Sequence, residues 1–157
     1  MTAMDQLSPI VGVTCAIGAG VMGGTMFAFS VSVMPALRRL PTAQGITAMQ
    51  AINVAIMNPA FLLLFFGTFV ANLLLVVLAL VTGAPWLLLG ALLYLVGMIG
   101  VTAAFNVPLN TALDKIQPTS EAGAALWRHY LTRWTTWNHI RAFACAAAAT
   151  VLTLTLA

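Results

Sequence analysis

The sequence predicts an all-α integral membrane protein, a four-helix bundle with short amphipathic helical segments in its two long connections. Of its 157 residues, 62% are hydrophobic and only 6% are charged, whereas a soluble domain carries about 25% charged residues. Four apolar runs approach or exceed the ~20 residues that a helix needs to cross ~30 Å of hydrocarbon. The length suits a single membrane domain over residues 1–157 with four spans.

The four spans are predicted from the apolar runs and from the residues that bound them, at about 9–34, 59–81, 86–105 and 138–156. The second span begins with a good helix start, because Asn58 can act as the N-cap with Pro59 in the first helical position. Residues 82–85 form a tight turn into the third span. The fourth helix can begin as early as Ser120 and Glu121, since no proline interrupts the chain from there to its end.

Two long connections, residues 35–58 and 106–139, join the remaining spans. Within the first, the apolar pattern predicts a short amphipathic helix over residues 42–57. All six basic residues lie in or beside these connections: Arg38, Arg39, Lys115, Arg128, Arg133 and Arg141. The positive-inside rule therefore places both connections in the cytoplasm and both termini outside an inner or plasma membrane. The net charge of +3 is too small and too scattered to indicate nucleic-acid binding.

The first span carries small residues at intervals of four: Gly12, Ala16, Gly20 and Gly24. Such stripes let helices approach closely in lipid. Tight packing inside the bundle is one interpretation. A homo-oligomer formed through this Gly-rich span is the other.

Residues 127–141 carry an unusual stripe of aromatic and hydrogen-bonding side chains. Spacings of three and four place these on one helical face: Trp127, Tyr130, Trp134, Trp137, Asn138 and Arg141. An aromatic belt at the membrane interface explains tryptophan, tyrosine and a snorkelling arginine, but it explains Asn138 and the adjacent His139 less well. The stripe is also typical of a pocket for a flat, partly polar ligand. On residue types alone, both interpretations stay open.

Other polar residues lie near the ends of the spans that adjoin the two long connections. Their presence there needs an explanation, because unpaired polar side chains are costly in lipid. Asn106 and Asn110 can cap helices or turns, or they can point into the bundle. Asn53 stands in an otherwise apolar stripe and is predicted to face inward. No metal site is predicted, since His129 and His139 with few carboxylates fit no usual ligand spacing. The same spacing gives little support to a haem held by two histidines.

Four segments together carry a resemblance to a known family. They are FNVPLN at 105–110, RWTTWNHIR at 133–141, FAFSVSVMPAL at 27–37 and MQAIN at 49–53. Over nearly the whole chain this pattern resembles a family of small four-span membrane proteins, mostly of unknown function, that includes the fungal anthrone oxygenases. Those enzymes convert anthrones to anthraquinones without a known metal or organic cofactor. The resemblance implies oxidation by dioxygen of an aromatic polyketide or related phenol, with no cofactor.

The resemblance favours the pocket interpretation and implies roles for its residues. The catalytic candidates are His139, Asn106 and Asn138, and the substrate-binding candidates are Asn53, Asn110, Trp127, Trp134, Trp137 and Arg141. His139 would remove a proton, Asn106, Asn138 or Arg141 would hold the developing oxyanion, and the tryptophans would stack on the flat rings.

Two functions from other classes also fit the sequence. One is a non-catalytic membrane protein that binds a lipid, a quinone or a partner helix through the same stripe. Another is a haem-binding bundle. The expected partners are membrane lipid and a flat aromatic small molecule.

Overall fold

The computed structural model describes residues 3–157, with side chains from Leu7 onward. Within that range every regular element is helical, which confirms the all-α prediction. The α-helices are α1 (Ala3–Ala28), α2 (Met34–Arg39), α3 (Thr42–Ala55), α4 (Pro59–Thr82), α5 (Pro85–Tyr94), α6 (Val107–Asp114) and α7 (Glu121–Leu156). π-helical segments are found at Phe29–Val33, Leu95–Gly100 and Thr102–Asn106.

Four continuous helices are long and apolar enough to cross a membrane: Leu7–Arg39, Pro59–Thr82, Pro85–Asp114 and Glu121–Leu156. The first combines α1, one π-helical segment and α2. The third combines α5, two π-helical segments and α6. These helices identify a membrane protein and confirm the four-helix architecture. The orientation of the termini and connections stays a prediction.

The helix ends follow the local signals in the sequence. The Asn58 side chain accepts a hydrogen bond of 3.0 Å from the Phe61 amide, and Ser120 Oγ accepts one of 3.0 Å from the Gly123 amide. Both are N-caps, which satisfy amides that have no partner inside the helix. Gly83 ends α4 with a φ of 67°, a left-handed conformation that glycine adopts without a steric penalty.

The two long connections pack together at one end of the bundle, which we call the connection end. The predicted amphipathic helix is present as α3, and its buried Ile46 and Met49 contact Trp127 and its neighbours in a shared core cluster. Gln50 Nε2 donates to the Leu113 carbonyl oxygen at 2.9 Å. The 36 residues of α7 span about 54 Å, so this helix extends well beyond a ~30 Å hydrocarbon core.

Helix α4 packs on α1 and α5 but diverges from the other helices at the connection end. None of its Cα atoms lies within 8 Å of a Cα atom in Thr102–Asn106, α6 or α7. A space is therefore left between α4 and the helices that carry most of the polar candidates.

The small-residue stripe of the first span meets two environments. At Gly12 an added Cβ would lie 3.1 Å from a side chain of α7, whereas at Gly20 and Gly24 it would meet nothing within 4 Å. The closest approach to α4 lies outside the stripe, at Gly18, where an added Cβ would overlap the Thr68 side chain. Part of the stripe thus packs inside the bundle and part of it faces outward.

We expect Gly18→Ala to destabilise the fold and Gly20→Ala to leave it intact or stabilise it. Overpacking costs about 1–3 kcal/mol, while alanine in open space gains helix propensity of about 1 kcal/mol over glycine. Far-UV circular dichroism during unfolding in mixed detergent micelles measures the difference. Equal stabilities of the two variants would contradict the packing of α1 on α4.

Candidate functional site

A cavity of about 230 Å³ lies at the connection end, in the space between α4 and the helices α6 and α7. Its volume is just below the range of about 300–1,000 Å³ typical of ligand pockets. Most of its wall consists of methionine, phenylalanine and aliphatic side chains. The polar side chains on the wall are Asn53, Thr102, Asn110 and Arg141, and they are joined by Trp134. The cavity therefore suits a largely apolar ligand with a few polar atoms.

Several residues of the cavity wall also lie at the surface of the bundle. Phe66 on α4 and Val107 on α6 both line it, although about half of each side chain is exposed, and Met57 before α4 is more exposed still. Because these residues are apolar and lie on or beside two neighbouring membrane spans, this part of the wall adjoins the apolar surface of the bundle.

Arg141 is the central polar group of the cavity. Only 5% of the residue is exposed. Its Nη1 donates to Thr102 Oγ1 at 3.1 Å, and its Nη2 donates to Asn138 Oδ1 at 2.6 Å. The guanidinium carbon lies 5.3 Å from the centroid of the Trp134 ring, within the range of a cation–π interaction. Two neutral acceptors and an aromatic face thus hold a buried cation.

Asn138 fixes the position of Arg141 against the first span. Its Nδ2 donates to the Met26 carbonyl oxygen at 2.6 Å and to Ser30 Oγ at 2.7 Å. Ser30 belongs to the π-helical segment Phe29–Val33, and such segments are frequent at functional sites. The amide of Asn138 therefore ties α7 to the first span while its oxygen orients the guanidinium.

Two further asparagines join the third span to α7. Asn110 Oδ1 accepts from Tyr130 Oη and from Trp134 Nε1, both at 2.8 Å. Asn106 Nδ2 donates to the Trp134 carbonyl oxygen at 3.2 Å, while its buried Oδ1 has no partner among the described residues. Together they hold the indole of Trp134 on the cavity wall.

The structure brings together six of the nine candidate residues. Asn53, Asn110, Trp134 and Arg141 line the cavity, and Asn106 and Asn138 lie directly behind it and bond to Trp134 and Arg141. Asn53 also donates through Nδ2 to Asp114 Oδ1 at 3.0 Å. The catalytic and binding roles of these residues stay predictions.

Two of the candidate tryptophans are placed elsewhere. Trp127 is buried in the core cluster at the connection end, against Gly45 of α3, and stacks on Tyr130 with ring centroids 5.5 Å apart. Trp137 stacks on Phe105, with centroids 3.6 Å apart and planes within 5°. Neither lines the cavity, and both pack against other residues of the bundle.

His139 lies apart from the cavity. Its side chain is exposed and lines a second groove, of about 700 Å³, together with Gly20 and Gly24 of α1. A helix has 3.6 residues per turn, so consecutive residues point about 100° apart. Asn138 is buried in the bundle, whereas His139, about 100° further round the helix, is exposed. Its predicted role as the base is untested, but the structure does not bring it to the cavity.

Sequence reasoning overlooked two hydroxyl residues of the site, Ser30 and Thr102. Each is a polar residue inside an apolar run, and that signal could have found them. The apolar wall residues carry no comparable signal, because membrane-facing and cavity-facing phenylalanines look alike in a sequence.

The described residues include no group of three or more His, Cys, Asp or Glu side chains that could hold a metal ion. His129 and His139 lie on the same helix, ten residues apart, which is about 15 Å along its axis. The two histidines of one chain therefore cannot ligate opposite faces of a single haem.

Comparison with known proteins identifies the family. Neither the curated proteins nor the solved structures include a match to this chain. A family model described as anthrone oxygenase matches residues 54–151, which include Thr102, Asn110, Trp134 and Arg141. Because the match covers more than half of the chain and confirms the resemblance seen in the sequence, the chain belongs to the anthrone oxygenase family.

Proposed function

We propose that this membrane protein is an oxygenase that oxidises a flat, electron-rich phenolic or anthrone-type substrate with dioxygen. Membership of the family supports an oxygenase-like function in general. The observation that carries the proposal is an apolar, partly aromatic cavity whose polar groups include Arg141, Asn110 and Thr102.

The cavity wall suits the binding of a flat aromatic ring system. Trp134 and Phe29 both line it, with ring centroids 5.9 Å apart and planes tilted by 47°, and Phe61 and Phe65 lie on the α4 side. Aromatic rings favour offset or tilted contacts with such faces. Asn110 Nδ2 makes no hydrogen bond to the described residues, so it is available to donate to a ligand carbonyl.

The proposed reaction begins with loss of a proton from the methylene carbon between two aryl rings. The negative charge spreads to the oxygen across the ring, where the fixed positive charge of Arg141 would stabilise it. Dioxygen then adds to the carbanionic carbon, the resulting peroxide anion takes up a proton from water, and the hydroperoxide loses water to leave a carbonyl group. The methylene is oxidised to the quinone carbonyl, and dioxygen is reduced and supplies both the new carbonyl oxygen and the oxygen of water.

The first step of this reaction needs a proton acceptor. His139 is the base proposed from the sequence, but it faces the second groove. No histidine or carboxylate lines the cavity among the described residues. We therefore propose that Arg141 makes the substrate acidic enough for water or hydroxide to accept the proton.

A matched pair of substitutions on α3 tests where oxidation occurs. Ile52 lines the cavity, whereas Val54 is 77% exposed. We expect Ile52→Trp to fill the cavity and lower kcat/KM for anthrone at least about tenfold, since even one misplaced contact can cost that much. Val54→Trp should retain wild-type activity. Oxygen uptake and quinone absorbance measure the rates, after subtraction of spontaneous oxidation without protein.

The same assay evaluates a second candidate function. The groove beside His139 is lined mainly by glycine, alanine and phenylalanine, which favours the binding of a lipid chain. Lipid that co-purifies with a protein showing no oxygen uptake above the spontaneous rate would contradict the oxygenase proposal. That result would support a non-catalytic lipid-binding protein.

A further inference from the structure

We infer that the cavity binds its ligand as an anion, with the negative charge beside Arg141. The inference rests on the proposed function for the location of the site, and it names the class of ligand. That class is an aromatic molecule carrying an ionised oxygen, as a phenolate, enolate or carboxylate.

The side chain of Arg141 carries a buried positive charge. A guanidinium stays protonated in proteins, and burial of a charge is costly unless it is paired. Arg141 is 95% buried, since only 5% of it is exposed, and it forms no ion pair with the described residues. The carboxylates with described side chains are Asp114 and Glu121. Both are exposed, and Asp114 accepts a hydrogen bond from Asn53 instead.

The protein partners of Arg141 are all neutral. Of its five N–H donors, two donate to Thr102 Oγ1 and Asn138 Oδ1. Trp134 contributes an aromatic face without a formal charge. Nε is buried without a hydrogen-bond partner among the described residues. Hydrogen-bonding capacity and one unit of positive charge thus remain unmatched at the edge of a cavity.

The surroundings decide what kind of anion can match this charge. Arg141 lines the cavity directly, so a ligand in the cavity can reach it. The remaining wall is mostly apolar and cannot solvate a small inorganic ion. An acidic oxygen on an apolar body satisfies both conditions. Trp134 and the phenylalanines of the wall favour an aromatic body over a flexible acyl chain.

Binding without turnover tests the inference. Under anaerobic conditions, titration calorimetry in mild detergent compares anthracene-9-carboxylate with its carboxamide, which has nearly the same shape but no charge. We expect the carboxylate to bind at least about tenfold more tightly, because charge-assisted hydrogen bonds are roughly twice as strong as neutral ones. Equal affinities would overturn the inference. Palmitate supplies the same carboxylate on a lipid chain, and tighter binding of palmitate would overturn the assignment of an aromatic ligand.

Variants of two arginines on α7 assign the effect to one residue. Arg141→Gln should lose the preference for the carboxylate, whereas Arg133→Gln, at an exposed position of the same helix, should keep it. Arg141→Lys retains the charge and should retain at least part of the preference, which covers the case in which Arg141→Gln does not fold. A preference that persists in Arg141→Gln would overturn the inference.

The outcome is separable from that of the proposed function. A protein that prefers the carboxylate but never oxidises anthrone would support the anion site and contradict the oxygenase. A protein that oxidises anthrone yet binds carboxylate and carboxamide equally would support the oxygenase and contradict the anion site.

Discussion

Replacing Asn138 with leucine should lower the free energy of unfolding by about 3 kcal/mol. Three short hydrogen bonds depend on this side chain: those to the Met26 carbonyl oxygen and Ser30 Oγ, and the one from Arg141. A buried hydrogen bond to a charged group contributes about 1.5–3 kcal/mol, and each partner left unsatisfied adds its own cost. Because the bonds to Met26 and Ser30 join the first span to α7, the variant should also loosen the contact between the first and last spans.

Asn53→Leu is the matched control for this prediction. Asn53 is half-buried and donates one hydrogen bond, to the exposed Asp114, so its loss should cost no more than about 1 kcal/mol. Unfolding of both variants in mixed micelles, followed by circular dichroism, gives the comparison. Similar losses in the two proteins would show that Asn138 does not hold the two spans together as described.

Replacing Arg141 with glutamine should reduce kcat/KM for anthrone oxidation by at least about 100-fold, while His139→Ala should stay within about twofold of the wild type. Removal of one group that stabilises a developing oxyanion costs about 10²–10³ in rate, and Arg141 lines the cavity. His139 lies on the second groove, where a substrate held in the cavity does not contact it.

Oxygen uptake and quinone formation measure both variants, with Arg133→Gln as the control for loss of a cation from α7. Circular dichroism checks that each variant keeps its helical content. Abolished turnover in His139→Ala with an intact fold would restore that residue as the base and move the chemistry towards the second groove. Full activity in Arg141→Gln would remove the oxyanion role from the mechanism.

The aromatic stripe on α7 shows which side-chain positions helical periodicity can predict and which it cannot. Spacing predicts correctly that Trp134, Asn138 and Arg141 share a buried face. It predicts the same face for Trp137, which is instead half-buried against Phe105. A residue at the edge of a helical face can turn to either side, and the neighbouring helix decides which side offers a better contact.

The sequence by itself determined the architecture: four helices long and apolar enough to cross a membrane, the capping residues Asn58 and Ser120, and the amphipathic helix α3. These features are local, because apolar length, helical period and capping chemistry act within a few turns of the chain. Only the tertiary structure decided the site. Three features depend on how distant helices pack: the divergence of α4, the π-helical placement of Thr102 and Asn106, and the separation of His139 from Arg141. Contacts between spans produce no periodic pattern in the sequence, so the sequence alone does not reveal these features.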